Sequence, residues 1–300
     1  MTPDDALKPA AVVLGGRRGL LGQALVRVLR EAGWTVQAHG REDADVLDAD
    51  ALQRYLEAQA PDYVFNTVAY TLVDKAEEEP ALALQLNKTL PAILGRIARQ
   101  QSFRLFHYST DFVFDGRRQS TPYQLSDEPC PLSVYGKTKL AGENALLEIG
   151  LPGLCILRTA WLFGPGRKNF ILTIINLART RDKVNVVHDQ IGSPTYTLDL
   201  ARYTLDLARC KVHGIFHLVN TGQATWCELA AEAVSLAGVN CIITPIPSSE
   251  YPTKAVRPAY SVLSVDKFTA LTGVTPRPWA NALREYIFEY VVSPQDNDDA

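Results

Sequence analysis

Short apolar runs alternate with amphipathic stretches along the first half of the chain. Residues 10–14 (AAVVL) form one such run, and similar runs occupy residues 35–38, 63–66, 104–108 and 154–157. Between them, apolar side chains recur at intervals of three and four residues, which predicts helices over about 21–32, 51–60, 80–100 and 135–148. This alternation predicts an α/β fold, in which helices cover both faces of a parallel sheet and the crossovers are right-handed.

The alternation weakens after about residue 160, and the loops become longer and richer in proline. Helices are predicted over 170–180, 198–208 and 279–291, and strands over 184–187 and 215–219. A capping-box pattern at Thr225 and Glu228 predicts one more helix, which ends near Ala237. We expect this half to form a smaller α+β part that lies over the carboxyl edge of the sheet.

Composition narrows the class of protein. The chain has 300 residues, of which 47% are hydrophobic and 21% charged, as in soluble globular proteins. A net charge of −3 argues against a nucleic-acid partner, and the lack of a long apolar run argues against a membrane partner. The N-terminus has no apolar core of signal-peptide length, so the expected location is cytoplasmic. Five widely spaced cysteines, without a CxxC pair, predict neither a disulfide framework nor a metal site.

A glycine-rich turn follows the first predicted strand. Gly16, Gly19 and Gly22 form a GxxGxxG pattern that opens a helix, and Leu20 and Leu21 lie inside it. Such glycines allow a tight turn and a close approach of the backbone to a pyrophosphate, which binds at the positive helix end. We therefore predict a Rossmann-type doubly wound NAD(P)-binding domain over 10–165, to which later segments return. Residues 166–292 are expected to be mainly substrate-binding, and residues 1–9 and 293–300 to be flexible termini.

The end of the second predicted strand normally contacts the adenosine ribose. An acidic side chain there favours NAD, and a basic one favours the 2′-phosphate of NADP. The segment His39-Gly40-Arg41-Glu42-Asp43 carries both signs of charge. Arg41 favours NADPH slightly, and NADH remains an alternative.

Tyr135 and Lys139 form a YxxxK pair on a predicted helix. Positions four apart lie on one helix face, so both side chains can point into one cleft. A nearby ammonium is expected to lower the tyrosine pKa from about 10, which would let the phenol exchange a proton with an alkoxide. The pair alone is common by chance.

The context of a preceding strand strengthens the interpretation of this pair. Ser109, Thr110 and Asp111 are expected just beyond the carboxyl end of a buried strand, which is the edge where ligands bind in open α/β sheets. A hydroxyl there can hold a carbonyl oxygen against the tyrosine. The glycine turn, this hydroxyl and the Tyr/Lys helix occur in the order typical of short-chain dehydrogenases/reductases, which indicates an NAD(P)H-dependent oxidoreductase.

Several longer segments resemble one family within that group, the dTDP-4-dehydrorhamnose reductases, which are extended short-chain reductases. The resemblance covers about residues 11–290 and is carried by these segments: NTVAYTLVDKAEEEP (66–80), FHYSTDFVFDG (106–116), PLSVYGKTKLAGE (131–143), LRTAWLFG (157–164), DQIGSPT (189–195), FHLVNTGQATW (216–226) and YPTKAVRPAYSVL (251–263). The family implies NADPH, or sometimes NADH, as the hydride donor and a 4-keto nucleotide sugar as the acceptor.

The resemblance also implies roles for individual residues. Tyr135 is the proton donor, Lys139 tunes it, both hold the nicotinamide ribose, and Thr110 orients the carbonyl. The remaining implied cofactor contacts are Gly19, Leu20, Leu21, Asp45, Val46, Val68, Ala69 and Tyr70, and the implied sugar contacts are Thr110, Asp111 and Trp161. Arg257 lies in a family-like segment and is a candidate for the diphosphate, as is Arg158, because arginine forks suit phosphates. Trp226 is expected to pack beneath its helix rather than contact ligand.

The chain departs from the family pattern at several of these positions. The family commonly has Tyr at 112, alanines at 67 and 68, Ser at 160 and Glu at 125, whereas this chain has Phe112, Thr67, Val68, Ala160 and Leu125. His39 stands where some members have an acidic residue. Ala24 replaces an acidic residue that takes part in Mg²⁺ binding in some members, so the prediction includes no metal.

The sequence leaves three functions open. The leading one is reduction of dTDP-4-dehydro-L-rhamnose to dTDP-L-rhamnose. The others are reduction of another dTDP-4-keto deoxysugar and a non-catalytic, NADP-binding regulatory role, because the regulatory subunit of methionine adenosyltransferase resembles this family. The sequence is compatible with a homodimer but does not establish the oligomeric state.

Overall fold

The helices and strands follow the predicted alternation over the first half of the chain. The structure, a computed structural model, describes residues 8–118 and 120–293. The helices are α1 (Leu20–Glu31), α2 (Ala49–Gln59), α3 (Val73–Ala76), α4 (Pro80–Leu84), α5 (Leu90–Gln101), α6 (Val134–Ile149), α7 (Phe170–Ala178), α8 (Thr197–Arg209), α9 (Trp226–Leu236), α10 (Asp266–Thr272) and α11 (Trp279–Ile287). Within the described ranges, no helix is both long enough and apolar enough to cross a membrane.

The strands form one large sheet and three small ones. They are β1 (Ala10–Leu14), β2 (Thr35–His39), β3 (Tyr63–Asn66), β4 (Arg104–Thr110), β5 (Cys155–Thr159), β6 (Leu162–Phe163), β7 (Lys183–Val187), β8 (Ile191–Gly192), β9 (Thr195–Tyr196), β10 (Gly214–His217), β11 (Ala224–Thr225) and β12 (Ile242–Ile246). The large sheet has the order β10-β5-β4-β3-β1-β2, and its strands are parallel. The strand order reverses between β1 and β3, where such sheets bind ligands outside the strand ends.

Apolar side chains of the large sheet divide between two cores, one on each face. In β1, Ala11 and Val13 join the core that includes α1 and α8, whereas Val12 and Leu14 join the core that includes α2, α5 and α6. This alternation is what a strand buried on both faces requires. The doubly wound fold that the sequence predicts is therefore confirmed.

Segments from the second half of the chain contribute to the large sheet and also form smaller sheets. β10 lies at the edge of the large sheet, next to β5, and α8 packs against α1. β7 and β12 form a separate parallel pair, covered by α7 and α9 through a small apolar core. The sequence did not predict β12, because only Ile246 is fully buried and Pro245 weakens the strand pattern. The domain boundary near residue 165 stays a prediction.

Three predicted elements differ from the observed ones. β4 continues to Thr110 because Ser109 and Thr110 pair with Arg158 and Thr159 of β5, so both hydroxyls lie within the strand rather than beyond it. The predicted helix over 80–100 contains a π-helical turn at Gln85–Thr89. Pro9, expected in a flexible leader, accepts a hydrogen bond from Thr35 N–H at 3.0 Å, whereas residues 1–7 and 294–300 lie outside the described residues.

Two glycines let α6 approach the rest of the fold closely. A Cβ at Gly142 would overlap the Asn87 carbonyl oxygen of the π-helical turn. A Cβ at Gly136 would overlap the Phe112 carbonyl oxygen, just after β4. The obstacle is backbone in both cases, so a side chain there would have to move a whole element.

We therefore expect Gly142→Ala to destabilise the protein. The added methyl group forces α6 away from the π-helical turn, which should lower the free energy of unfolding by about 1–3 kcal/mol. Urea unfolding followed by circular dichroism measures this change. The matched control is Asn144→Ala, at an exposed position of the same helix, which should change stability little. Equal stability of the two variants would contradict close packing at Gly142.

Candidate active site

The start of α6 is fixed by two capping interactions. The Ser133 hydroxyl accepts a hydrogen bond from Gly136 N–H at 3.2 Å, and the Glu77 carboxylate accepts one from Val134 N–H at 2.8 Å. Both acceptors satisfy amides that the first helical turn leaves free. As a result, Tyr135 lies next to the 3-10 turn that follows β4, and its ring meets that of Phe112 edge-on with centroids 5.6 Å apart.

Tyr135 and Thr110 come together at the carboxyl edge of the large sheet, as the sequence predicts. Burial raises the pKa of Tyr135 to about 12, a hydrogen-bonding contact with Thr110 acts in the opposite direction, and the charge of Asp111 raises the pKa further. The expected lowering of this pKa by Lys139 is therefore wrong. The phenol holds its proton firmly, which suits a group that donates a proton rather than one that removes it.

Lys139 is buried on the same helix, with 2% of its surface exposed. Its Nζ donates a hydrogen bond to the Tyr108 carbonyl oxygen at 2.5 Å and lies 3.5 Å from Nε2 of His107. Burial lowers the pKa of Lys139 to about 8, against the opposing effect of Glu143. The sequence placed Lys139 in the cleft but did not predict that β4 would hold its amine.

Asp111 is buried at the start of the 3-10 turn. The Ser261 hydroxyl donates to its Oδ2 at 2.5 Å, and the Thr110 hydroxyl donates to its Oδ1 at 3.1 Å. Burial raises the pKa of Asp111 to about 6, although these hydroxyls partly offset the effect. Asp111 therefore links the end of β4 to the segment around residue 261, and no pattern in the sequence indicated Ser261 as its partner.

Arg158 does not serve as an anion contact. Its Nη2 donates to Glu143 at 2.7 Å and its Nε donates to the same carboxylate, and both side chains are at least 96% buried. The Ser109 hydroxyl also donates to Glu143. A buried ion pair with hydrogen bonds from two guanidinium nitrogens leaves the guanidinium unavailable to a diphosphate. The suggestion that Arg158 binds the nucleotide is therefore wrong.

The glycine turn fits the pyrophosphate of a dinucleotide. Gly19 ends the turn and leaves the start of α1 without a side-chain cap, and no acidic residue lies in the first helical turn. A Cβ at Gly19 would lie 2.7 Å from the Gly15 carbonyl oxygen, so the turn needs glycine. The amides of Leu20 and Leu21 lie at the positive end of α1, close to the β1–β3 switch point.

Arg17, rather than Arg41, is held at the end of β2. Its Nε donates to the Ala38 carbonyl oxygen at 2.9 Å, and its Nη atoms contact Glu42 at 2.7 Å and Asp43 at 2.5 Å. Arg41 is exposed in the turn after β2. His39 is buried and bonded to the Ala44 carbonyl oxygen. Sequence reasoning missed Arg17 because its position inside the glycine turn does not show which way its side chain points.

The loop after β3 carries three further predicted cofactor contacts. Val68 and Ala69 are half-buried. The fully buried side-chain amide of Asn87 accepts a hydrogen bond from Tyr70 N–H at 2.9 Å and donates one to the Tyr70 carbonyl oxygen at 3.2 Å. The Tyr70 hydroxyl donates to Glu79. Of the two residues predicted near the adenine, Asp45 is exposed and Val46 packs against the apolar core. Their cofactor contacts stay predictions.

The indole of Trp161 is closely packed against Trp226 and the backbone of Gly192. The Trp226 ring stacks on one face, with centroids 3.5 Å apart and an interplanar angle of 4°. A Cβ at Gly192 would overlap the Trp161 indole, so glycine is needed there. The Trp161 backbone lies in the left-handed region, at φ 47°. Trp226 packs against the apolar cores and also against Trp161. The contact of Trp161 with a sugar stays a prediction.

Arg257 is paired across the cleft with the first half of the chain. Its Nη2 donates to Asp74 Oδ2 at 2.7 Å, and Asp74 also accepts from the Ala255 amide. Lys254 contacts Glu78 in the same region. The Arg257 side chain is 24% exposed, so it is available to a phosphate that can displace the Asp74 carboxylate. Its role with substrate stays a prediction.

Comparisons with known proteins agree with this geometry. A family model described as the RmlD substrate binding domain matches residues 10–292. A dTDP-4-dehydrorhamnose reductase of Streptomyces griseus is 40% identical, with 90% of each chain covered. A dTDP-4-keto-6-deoxy-D-glucose reductase of Streptomyces niveus is 38% identical, over 90% of this chain and 94% of the relative.

A solved structure shows the same likeness. The crystal structure of a dTDP-4-dehydrorhamnose reductase from Bacillus anthracis in complex with NADP has a TM-score of 0.90. It is 30% identical and covers 94% of this chain and 100% of the other. The match extends over the glycine turn, the YxxxK helix and the second half of the chain. This chain therefore belongs to the RmlD substrate binding domain family, the family of the dTDP-4-dehydrorhamnose reductases.

Proposed function

We propose that this chain reduces the 4-keto group of dTDP-4-dehydro-L-rhamnose to a hydroxyl, with NADPH as the hydride donor. The observation that carries the proposal is the meeting of Tyr135 and Thr110 at the carboxyl edge of the sheet, with Lys139 on the same helix face. That edge adjoins the glycine turn at the β1–β3 switch point, so one cleft can hold a dinucleotide and a sugar side by side.

The chain's own residues perform positioning and proton transfer. The bound nicotinamide supplies the hydride. The Thr110 hydroxyl holds the keto oxygen beside the Tyr135 phenol, and the phenol gives its proton to that oxygen as negative charge develops there. A tyrosine with a pKa of about 12 is protonated at neutral pH, so it is ready to act as the acid. The amides at the start of α1 would hold the pyrophosphate.

Cofactor selection is assigned to the end of β2. We infer that Arg17 faces the 2′-phosphate of NADPH, since its guanidinium is already placed at this strand end and is 42% exposed. Glu42 and Asp43 hold it there and would also accept hydrogen bonds from the ribose hydroxyls of NADH. Arg17, Glu42 and Asp43 can therefore contact either cofactor. The preference depends on whether the positive charge of Arg17 or the negative charges of Glu42 and Asp43 dominate at the adenosine ribose.

A second sugar remains a serious alternative. Relatives of nearly equal similarity are named for different substrates: dTDP-4-dehydrorhamnose at 40% identity and dTDP-4-keto-6-deoxy-D-glucose at 38%. Ala160 and Leu125 differ from the family pattern near the substrate segments. A cytoplasmic location and a homodimer also stay predictions.

The deciding experiment compares two sugars directly. We expect NADPH oxidation, followed by absorbance, with dTDP-4-dehydro-L-rhamnose generated in the assay. Its kcat/KM should be at least about tenfold higher than with dTDP-4-keto-6-deoxy-D-glucose, a difference of about 1.4 kcal/mol in transition-state binding. The reverse order would favour the second sugar. Tight NADP binding without turnover of either would favour a regulatory subunit.

Removal of the Tyr135 hydroxyl should abolish most of the turnover. We expect Tyr135→Phe to lower kcat by about 10²–10⁴-fold, because general acid catalysis contributes about that much, while NADPH binding changes little. Cofactor oxidation and fluorescence titration measure the two effects. Tyr63→Phe, which removes a buried hydroxyl far from the cleft, is the control and should retain activity. Wild-type turnover in Tyr135→Phe would contradict the mechanism.

Removal of the Arg17 guanidinium should shift cofactor preference. We expect Arg17→Ala to raise the KM for NADPH about tenfold and to leave the KM for NADH within about twofold, because only NADPH carries the 2′-phosphate. Arg18→Ala, at the neighbouring exposed arginine, is the matched control. Equal effects of Arg17→Ala on the two cofactors would rule out a phosphate contact.

A further inference from the structure

The glycine turn is held at its first residue by a side chain from the neighbouring strand β3. Thr67 directly follows β3, and the last residue of β3, Asn66, is the register partner of Leu14 in β1. Thr67 therefore lies beside Gly15, the residue that follows β1. Its hydroxyl donates a hydrogen bond to the Leu14 carbonyl oxygen at 2.6 Å, and its N–H donates to the same oxygen at 3.3 Å. These two bonds fix Thr67 at the point where the chain leaves the sheet.

Gly15 has no free space on the side that faces Thr67 and Val68. A Cβ at Gly15 would lie 2.9 Å from Oγ1 of Thr67 and 3.3 Å from Cγ2 of Val68. The backbone of Gly15 is in the left-handed region, at φ 78°, which favours glycine. The side chains of Thr67 and Val68 are therefore packed directly against the backbone of the turn.

The carbonyl group of Gly15 connects this contact to the start of α1. Its oxygen accepts a hydrogen bond from Gly19 N–H at 2.8 Å, and a Cβ at Gly22 would lie 2.5 Å from the same oxygen. A rotation of the Gly15 backbone would thus displace Gly19. It would also move the amides of Leu20 and Leu21, which the first helical turn leaves free for an anion.

The Thr67 hydroxyl is not arranged to bind a phosphate itself. A Cβ at Gly19 would lie 3.5 Å from Oγ1, so the hydroxyl is close to the pyrophosphate-binding part of the turn. Its single hydrogen is used by the Leu14 carbonyl oxygen, however, and its lone pairs would repel a phosphate oxygen. Any effect of Thr67 on the cofactor therefore acts through the conformation of the turn.

The opposite side of the turn is held from β2. Arg17 N–H donates to the His39 carbonyl oxygen at 3.4 Å, and a Cβ at Gly16 would lie 3.1 Å from the Ala38 Cα. The turn is therefore fixed between the two strands that flank β1. Thr67 provides the contact from the β3 side.

We propose that Thr67, supported by Val68, is a positioning residue that holds the glycine turn in its pyrophosphate-binding conformation before the dinucleotide binds. A site that is ordered in advance avoids the cost of ordering it on binding. Alanine, which the family commonly has at both positions, has neither the hydroxyl nor the γ-carbon that contacts Gly15. The effect on binding rests on the proposed use of a dinucleotide, whereas the ordering of the turn does not.

The first test measures the turn in the ligand-free protein. Hydrogen exchange of the Gly16 and Gly19 amides, followed by NMR, reports how often their hydrogen bonds to Val13 and Gly15 open. We expect exchange about fivefold faster in Thr67→Ala, the effect of losing one hydrogen bond, and within about twofold of wild type in Thr67→Ser, which keeps the hydroxyl. Unchanged exchange in Thr67→Ala would overturn the proposal, whatever the protein turns over.

The second test measures ligand binding by calorimetry. We expect Thr67→Ala to raise the Kd of NADPH and of NADH by the same factor, about fivefold, because both carry the pyrophosphate. Thr67→Ser should restore both values. The Kd of adenosine 2′-monophosphate, which has no pyrophosphate, and kcat at saturating NADPH should stay within about twofold of wild type.

Other outcomes of the binding test would contradict the proposal. An effect on NADPH alone would mean that Thr67 acts at the 2′-phosphate. A higher Kd without faster exchange would mean a direct contact with the cofactor. Faster exchange with an unchanged Kd would mean that Thr67 supports the fold without preparing the site.

The matched control is Thr180→Ala. It also removes a hydroxyl that donates to a backbone carbonyl oxygen, that of Leu177 at 3.1 Å, but it lies after α7 in the second half of the chain. We expect wild-type exchange at Gly16 and Gly19 and wild-type Kd values in this variant. A wild-type protein that binds neither dinucleotide would contradict the proposed function, and the exchange rates would still decide whether Thr67 orders the turn.

Discussion

The close approach of α6 to the end of β4 is the constraint on which the active site depends. Gly136 and Gly142 let backbone touch backbone, at the Phe112 and Asn87 carbonyl oxygens. Tyr135 immediately precedes the first of these glycines and Lys139 lies between the two, so the positions of both side chains follow from the packing of the helix. Because the contacts are made by backbone atoms, the helix has little freedom to shift. The phenol is thus held beside Thr110 without any direct bond between Tyr135 and Lys139.

Burial, more than direct pairing, sets the protonation states in this site. Glu143 is the exception, since Arg158 and Ser109 compensate its charge. Asp111 has only hydroxyl and backbone donors, and Lys139 has a carbonyl oxygen and a neutral imidazole. Their pKa values move toward neutrality for that reason, to about 6 and about 8. At neutral pH Asp111 is mainly ionised and Lys139 mainly protonated, so their opposite charges offset each other, and Tyr135, with a pKa of about 12, keeps its proton.

Local patterns in the sequence predicted what depends on local geometry. The strand-to-helix glycine turn and the four-residue spacing of Tyr135 and Lys139 are fixed by regular structure, and both were found as expected. Contacts between distant segments were not predictable in the same way. The buried pairing of Arg158, the stacking of Trp226 on Trp161 and the bond from Ser261 to Asp111 each depend on how separate elements pack. The direction of the Arg17 side chain could not be predicted for the same reason. An arginine in a turn can extend into solvent or lie against a strand end, and only the packed structure shows which it does.

The residues proposed for proton transfer and those proposed for sugar contact lie in different parts of the molecule. The proton-donating groups lie on β4 and α6, in the region that forms the parallel sheet and its cover. The groups near the proposed sugar contact come from segments that cross over that sheet edge. They are Trp161, Gly192, Trp226 and the ion pairs of residues 254–257 with α3 and the turn after it. Relatives named for different 4-keto sugars are similar over at least 90% of this chain. We therefore expect a change of sugar to depend on the fit against the covering segments rather than on the reacting groups. Substitutions in those segments are constrained by the core, because Tyr196 of β9 and Ala224 of β11 are buried in it.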